Sequence, residues 1–535
     1  MLLSFDLMAP ISEHGAQAYL SHWNLFFAHE FSPYFLLFYL LAIVLYWLGD
    51  KKKYKFGIIS KKHRNTMRVA LVLFPAFISL IATLFYSHQS PHFADEFSYI
   101  HQSKMLLSGN FEGFKVLEPL KDTYQIKNIF YNSNEFLVGV YSIGWPLFLA
   151  IFTYFNLSWV APVFLCFLNS IAMAFLFSKV FSKRRLLPLF LMCTSVFYIT
   201  FSPLFFSQSL CLLLVNLVLI RRAQKKDKLW IDYLIASLLF ITRSGDGLIL
   251  FMSLFIYQLI FKRGNWFHFL SFVTFLPLHF WNQKMLVGDW FRPTYEIFSS
   301  WHKYGYGASI GIHEPWGFNL LQAFKNLGTV LLSLNETLLG WPGLSLLPLG
   351  VFLFFTPWFK LCKKNSFFGF SILLTIIWFA FYFNYFFSGV LIGPRFHYPL
   401  ISVLICFSTV AIIRVPSIRL IFYVFTIIGF VVLFLSLSRL YDCGGVLSEP
   451  IKALKSKYNI EIQKEKVYVF PELSKKNNLF FEEFFINFYR YCDILDPKKI
   501  QFIKLSDYKR NPKWFQKVFK KRLVVYSFGK TKKVK

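Results

Sequence analysis

Apolar runs of membrane-spanning length alternate along this chain with short basic clusters and a few long polar stretches. About 20 apolar residues cross a bilayer core as a helix. The first run, residues 33–48, ends at the lysines that begin with Lys51; the second, 67–86, opens into SHQSPHFADEFSYIHQSK. Residues 186–220 read as a hairpin turning near Pro203, and 229–261 as another turning at Arg243-Ser244-Gly245-Asp246-Gly247. Residues 266–287 lead to a second polar loop, 288–326, after which 327–339, a Trp-Pro-Gly break and a further span return to Lys360. Residues 367–387 reach a third polar loop, 388–399; the chain then runs to Arg414, and 420–438 is the last span.

The basic clusters decide which way each run points. Lys61 to Arg64, Lys183 to Arg185, Arg221 to Lys228 and Lys360 to Lys364 all fall between apolar runs, the pattern of short cytoplasmic loops. The three polar loops then come out on the opposite, extracytoplasmic face. Residues 143–181 need an odd number of crossings, so 144–155 is expected to be re-entrant or interfacial. The expected architecture is an α-helical polytopic membrane protein of about 11–13 transmembrane helices with polar extracytoplasmic loops and a small C-terminal α+β domain. Its parts are 1–66 with one extra helix, 67–438 as the transmembrane domain, and 439–535 as a soluble domain with VYVF and RLVVYSF as strands.

Composition fixes the class. Of 535 residues, 56% are hydrophobic and 70 are phenylalanine, more apolar surface than a water-soluble fold can hide. The formal charge of +30 is spent on loop clusters and on a C-terminal segment where acids interleave, so no nucleic-acid partner is expected. No basic n-region precedes an apolar core in the first thirty residues, so no cleavable leader is expected. Five cysteines lie in or beside apolar runs as small hydrophobes; Cys443 and Cys492, in the C-terminal segment, leave one disulfide or two free thiols open.

Candidate chemistry gathers on the polar loops. Asp95 and Glu96 come a few residues after the second span, where an acidic pair is costly to desolvate; the competing reading is a solvated helix start after Pro91. Arg243, the 288–326 loop and Arg395-Phe396-His397-Tyr398 are placed on the same face by their basic flanks alone. Arginine suits a phosphate because its planar fork donates two parallel hydrogen bonds, and aromatic loops suit a sugar ring or a lipid neck. Either arginine also reads as an interfacial anchor snorkelling to headgroups. His92, Asp95 and His101 do not fix a metal geometry, so a divalent metal is left open without support from the residues, and no other cofactor is expected.

The segments ADEFSY with LLSGN downstream, YSIGWPLFLA, TRSGDGLIL, YGYGASIGIHEPWG, LNETLLGWP and GPRFHYPL occur in that order between Met67 and Arg414. In order and sidedness they resemble the GT-C superfamily of polytopic lipid-linked-sugar glycosyltransferases, of the bacterial family 39 type related to protein O-mannosyltransferases and lipid A aminoarabinose transferases. The chain departs from that pattern where Tyr-Pro-Pro-Gly appears as Tyr141-Ser142-Ile143-Gly144, and in the extra helix at 33–48. The resemblance implies a polyprenyl-phosphate sugar donor, a lipid, glycan or protein acceptor, and an inverting displacement at the outer face of the bacterial cytoplasmic membrane. It implies Asp95 as general base, with Glu96 orienting the acceptor or helping to bind a divalent ion if one is used. Arg395 and Arg243 would sit on the leaving phosphate, and His313, His397 and Tyr398 against the donor. The alternatives from other classes are a transporter or flippase for lipid-linked glycans and a non-catalytic membrane protein of the same fold. A transporter calls for ionisable residues at mid-membrane and an inverted repeat; Asp232, Asp246 and Asp289 all sit near span ends.

Overall fold

The structure, a computed structural model, describes residues 32–51 and 61–448 apart from 87–88, 90, 92, 117, 119–128, 183, 227, 262–264, 299, 312–316 and 391–392. Beyond these it describes 467–470, 502–504, 510–519, 523–527 and 530–533. His92, His313 and the side chains of Cys443 and Cys492 lie outside the described residues.

In chain order the helices are α1 (Ser32–Lys51), α2 (Lys61–Ile81, continued by a π-helical turn Ala82–Tyr86) and α3 (Ala94–Leu107). The strands β1 (Phe114–Lys115), β2 (Ile129–Tyr131) and β3 (Phe136–Gly139) follow, then α4 (Gly144–Tyr154), α5 (Val160–Val180), α6 (Leu186–Thr194), α7 (Val196–Phe201) and α8 (Gln208–Ala223). Next come α9 (Leu229–Thr242), α10 (Ser244–Phe261), a 3-10 segment Trp266–Phe275 running into α11 (Leu276–Val287), and α12 (Thr294–Phe298). The last helices of the bundle are α13 (Leu320–Thr337), α14 (Leu347–Phe355), α15 (Trp358–Lys364), α16 (Ser366–Phe383), a 3-10 turn Arg395–Leu400 continued by α17 (Ile401–Arg414), and α18 (Pro416–Ser448).

Among the described residues six helical segments are long and apolar enough to cross a membrane, fewer than the 11–13 expected. Several expected spans are built in two pieces. The run from Leu186 breaks at Ser195, whose hydroxyl accepts from the Tyr198 amide at 3.2 Å and starts α7 afresh. Residues 266–287 change from 3-10 to α at Phe275, and Pro357 separates α14 from α15. Helix α13 starts at Leu320, six residues earlier than the sequence reading placed the end of its loop, because Asn319 caps it through the Gln322 amide at 3.0 Å.

The awkward stretch after residue 143 resolves simply. At 11 residues α4 is about 16 Å long, half of a bilayer core, and it lies along α3. The Ser103 and Thr153 hydroxyls are 3.1 Å apart, and Tyr99 meets Trp145 edge-on. Helix α5 is the one of spanning length, as the odd number of crossings required.

Residues Arg395–Arg414 form the axis of the bundle: 94% of that span is buried inside the protein. Phe197, Tyr198 and Phe201 pack around Tyr398 at its upper end, and Phe352 stacks on Phe407 lower down. The basic clusters meet at one end of the bundle, where Arg184 reaches the Ile413 carbonyl and Ser366 the Arg222 carbonyl. The polar loops meet at the other.

Two small sheets complete the fold. In the first loop β3 lies between β1 and β2, antiparallel to both, and His101 of α3 contacts the Leu137 carbonyl of β3 at 3.1 Å. In the C-terminal segment β4 (Val467–Phe470) lies parallel to β5 (Phe502–Lys504) and to β6 (Leu523–Ser527), while β7 (Lys530–Lys533) runs antiparallel to β6. Helix α19 (Pro512–Phe519) packs against β6. Both strands read from the sequence are present, as β4 and β6.

Candidate active site

Helix α3 begins at Ala94, which puts Asp95 and Glu96 in its first turn, where the helix dipole favours negative charge. The two neighbours then part company. Glu96 turns inward and is fully buried. One carboxylate oxygen accepts from its own helix cap, the Phe93 amide, at 3.1 Å; the other accepts from the Phe205 amide at 2.8 Å. It ties the start of α3 to the turn before α8, so its place is structural, and an acceptor-orienting task does not fit a carboxylate with no exposed surface.

Asp95 turns the other way, into the cleft. Its Oδ2 lies 2.8 Å from Nη1 of Arg395, a residue 300 positions away, and both side chains keep some exposure, 20% and 15%. Arg395 is delivered by a tight reversal: its amide donates to the Gly389 carbonyl at 3.1 Å, and Val390 pairs with Pro394. Gly389 takes a left-handed φ of 67°, and a Cβ there would lie 2.4 Å from the Phe396 ring. The guanidinium is surrounded by the rings of Phe206, Phe387 and Phe396, each 5.3–5.5 Å from it. Its Nε is buried without a partner.

Arg243 occupies the break between α9 and α10, with extended backbone. Gly247 lets the two helices close on each other, since a Cβ there would meet the Phe240 backbone at 2.3 Å. The Arg243 guanidinium lies over the same Phe396 ring at 5.0 Å. Its Nε is 3.6 Å from Oδ2 of the fully buried Asp246, and its Nη2 donates to the Tyr382 hydroxyl at 3.4 Å. Tyr382 in turn donates to Asp246 Oδ1. Nη1 of Arg243 is buried without a partner. Burial works against the Arg243 charge, but Asp246 more than restores it, and the guanidinium is held more firmly protonated than usual.

A belt of aromatic rings encloses these charges. Tyr99 packs on Tyr141 at 4.2 Å between centroids, Tyr141 on Tyr295 at 5.5 Å, and Tyr295 on His302 at 4.7 Å. His302 Nε2 lies 3.0 Å from the Tyr385 hydroxyl, and Tyr385 reaches Phe396. Burial, then the charge of Asp95, raises the Tyr99 and Tyr141 phenols; burial pushes Tyr385 up to about 12. The belt therefore presents neutral hydroxyls at physiological pH.

The structure thus brings Asp95, Arg395 and Arg243 together, while Glu96, His397 and Tyr398 are buried. Tyr398 is core: its hydroxyl donates to the Tyr198 carbonyl at 3.1 Å within an aromatic cluster. His397 is buried against the Phe379 ring at 4.5 Å and against Tyr382. His313 lies outside the described residues. Sequence reading missed Asp246, Tyr382 and the tyrosine belt. Asp246 was detectable at three residues from Arg243 on a helix start; Tyr382 sits within the apolar run FAFYFNYFF and carries no signal of its own. Among the described residues no three of His, Cys, Asp and Glu converge as metal ligands; His101 is packed against Phe114 and the Leu137 carbonyl.

No family model and no curated relative matches this chain. Among solved structures it is similar to crystal structures of ArnT from Cupriavidus metallidurans. The form bound to undecaprenyl phosphate gives a TM-score of 0.49 at 11% identity over 84% of this chain and 91% of that one. The apo form gives 0.46 at 10% over 85% and 93%. At such identity no residue role passes from that protein to this one.

Proposed function

We propose that this chain is a glycosyltransferase that moves a sugar from a polyprenyl-phosphate-linked donor to an acceptor hydroxyl. The reaction takes place at the polar-loop end of the bundle, on the outer face of a cytoplasmic membrane. The observation that carries the reading is the juxtaposition, at one end of an apolar bundle, of a partly exposed carboxylate with two arginines that each hold an unpaired guanidinium nitrogen. The donor class is the one the sequence motifs imply.

The chemistry is a single inverting displacement. Asp95 takes the proton of the acceptor hydroxyl as its oxygen attacks the anomeric carbon. The bond from that carbon to the phosphate oxygen breaks, and the phosphate leaves with the electron pair toward Arg395 and Arg243. Charge develops on the phosphate in the transition state, where fixed donors count most. The tyrosine belt offers rings and hydroxyls to the sugar.

Asp95→Asn keeps shape and hydrogen-bonding reach but cannot accept a proton. Transfer from a polyprenyl-phosphate sugar in membranes should fall by roughly 10²–10⁴-fold at normal expression. Undiminished transfer would remove Asp95 from the mechanism. A transporter would give no transfer with either protein.

A further inference from the structure

The base and one of the phosphate ligands occupy each other. Asp95 Oδ2 rests on Arg395 Nη1 at 2.8 Å. The carboxylate oxygen held by the guanidinium is not open to an acceptor hydroxyl, and a guanidinium engaged by a carboxylate has fewer donors for a phosphate. Both proposed tasks draw on atoms that this contact holds.

The second arginine is held differently. Asp246 is fully buried, takes the Tyr382 hydroxyl on one oxygen and faces Arg243 with the other. It has no route to solvent, and Arg243 keeps a free Nη1 beside it. Each arginine faces one acid as the site stands. If Asp95 lets go of Arg395, the guanidinium has lost its carboxylate partner and can take an anionic phosphate oxygen instead.

We propose, resting on the glycosyltransferase reading, that the two arginine–carboxylate pairs divide the work. Asp246 and Tyr382 position Arg243 as the fixed half of an anion clamp. Arg395 is the exchangeable half: the donor phosphate displaces Asp95 from it, and this displacement frees Asp95 to act as base. Donor binding therefore precedes activation of the acceptor, and a site without donor does not hold a competent base that water could exploit. The exchange itself moves no covalent bond; the proton and the phosphate move in the step that follows.

The test is binding of a short-chain polyprenyl phosphate to the purified full-length protein in nanodiscs. Removing the competing carboxylate in Asp95→Asn should tighten binding, by roughly three- to thirtyfold for a partly exposed pair. Asp246→Asn should weaken it by a similar factor, and Arg395→Ala should weaken it and abolish any gain from a second Asp95→Asn substitution. A thermal melt checks each variant, and Asp95→Ser replaces Asp95→Asn if the amide is not tolerated. Unchanged or weaker binding by a folded Asp95 variant overturns the exchange. The two readings fail separately: tighter binding with transfer retained removes Asp95 as base yet keeps the exchange, whereas transfer lost with affinity unchanged does the reverse.

Discussion

Two arginine–aspartate constellations sit at opposite ends of this bundle, and they are built on opposite plans. At the basic end Asp232 is fully buried, with Arg221 Nε on one oxygen at 2.5 Å and Arg222 Nη2 on the other. The two guanidinium groups also reach the carbonyls of Lys228 and Lys226. All of this happens within a dozen residues, where α8 turns into α9. At the polar-loop end Asp95 and Arg395 come from distant parts of the chain and stay partly exposed. An orphan nitrogen does not separate the two, since Arg222 Nε is buried and unpaired as well. What separates them is access to the acid, 0% exposed in Asp232 and 20% in Asp95. A carboxylate closed off on both oxygens by local partners holds helices together, whereas a pair that is open and assembled from remote segments is placed where a ligand can enter it.

The sharpest way to break that comparison is at Arg395. Arg395→Ala should lower transfer by roughly 10²–10³-fold, the scale of a lost transition-state donor, with little change in the fold. Arg395→Lys should recover only part of it, because an ammonium cannot reproduce the planar fork packed among three rings. Normal turnover by the alanine variant, assayed with the polyprenyl-phosphate sugar, would make Arg395 a membrane anchor and the two ion pairs equivalent.

The opposite end should respond in stability instead. Asp232→Ala leaves two arginines facing each other with their shared acid gone, and losing one partner of a buried pair costs roughly 3–5 kcal/mol. Turnover per folded molecule should stay at the wild-type level. Thermal unfolding in detergent alongside a specific-activity measurement decides it; a folded Asp232→Ala protein with lost transfer would contradict the division into a structural and a working end.

The same contrast explains what the sequence made legible. Spans and their sidedness follow from apolar runs and basic clusters, which are local signals, and so the meeting of Asp95, Arg243 and Arg395 at one end was readable in advance. Breaks inside spans were not: Ser195 starts a new helix only because its hydroxyl finds the Tyr198 amide. The different fates of Asp95 and Glu96 were equally hidden. Adjacent residues at a helix start point about 100° apart, and which one faces the cleft depends on the Phe205 amide, more than a hundred residues on. Tyr398 reads as an exposed loop aromatic beside Arg395, but one turn of 3-10 helix swings it into the core.

The smallest expected effect lies beneath the working end and concerns pH. His101 anchors α3, the helix that carries Asp95, to the Leu137 carbonyl of β3. Burial lowers its pKa from 6.5 to about 4, so the folded protein keeps the ring neutral. Between those values the unfolded chain binds a proton that the folded chain refuses. Stability is therefore complete above pH 6.5 and declines as the pH falls toward 4, by up to roughly 3 kcal/mol at the acid end. His101→Gln, which keeps a donor for the carbonyl without titrating, should flatten that part of the pH–stability curve. Because the anchor sits under Asp95, wild-type transfer in the same window should fall along with the folded fraction and recover on return to neutral pH. A slope that persists in His101→Gln would place the acid sensitivity elsewhere and leave α3 anchored independently of this ring.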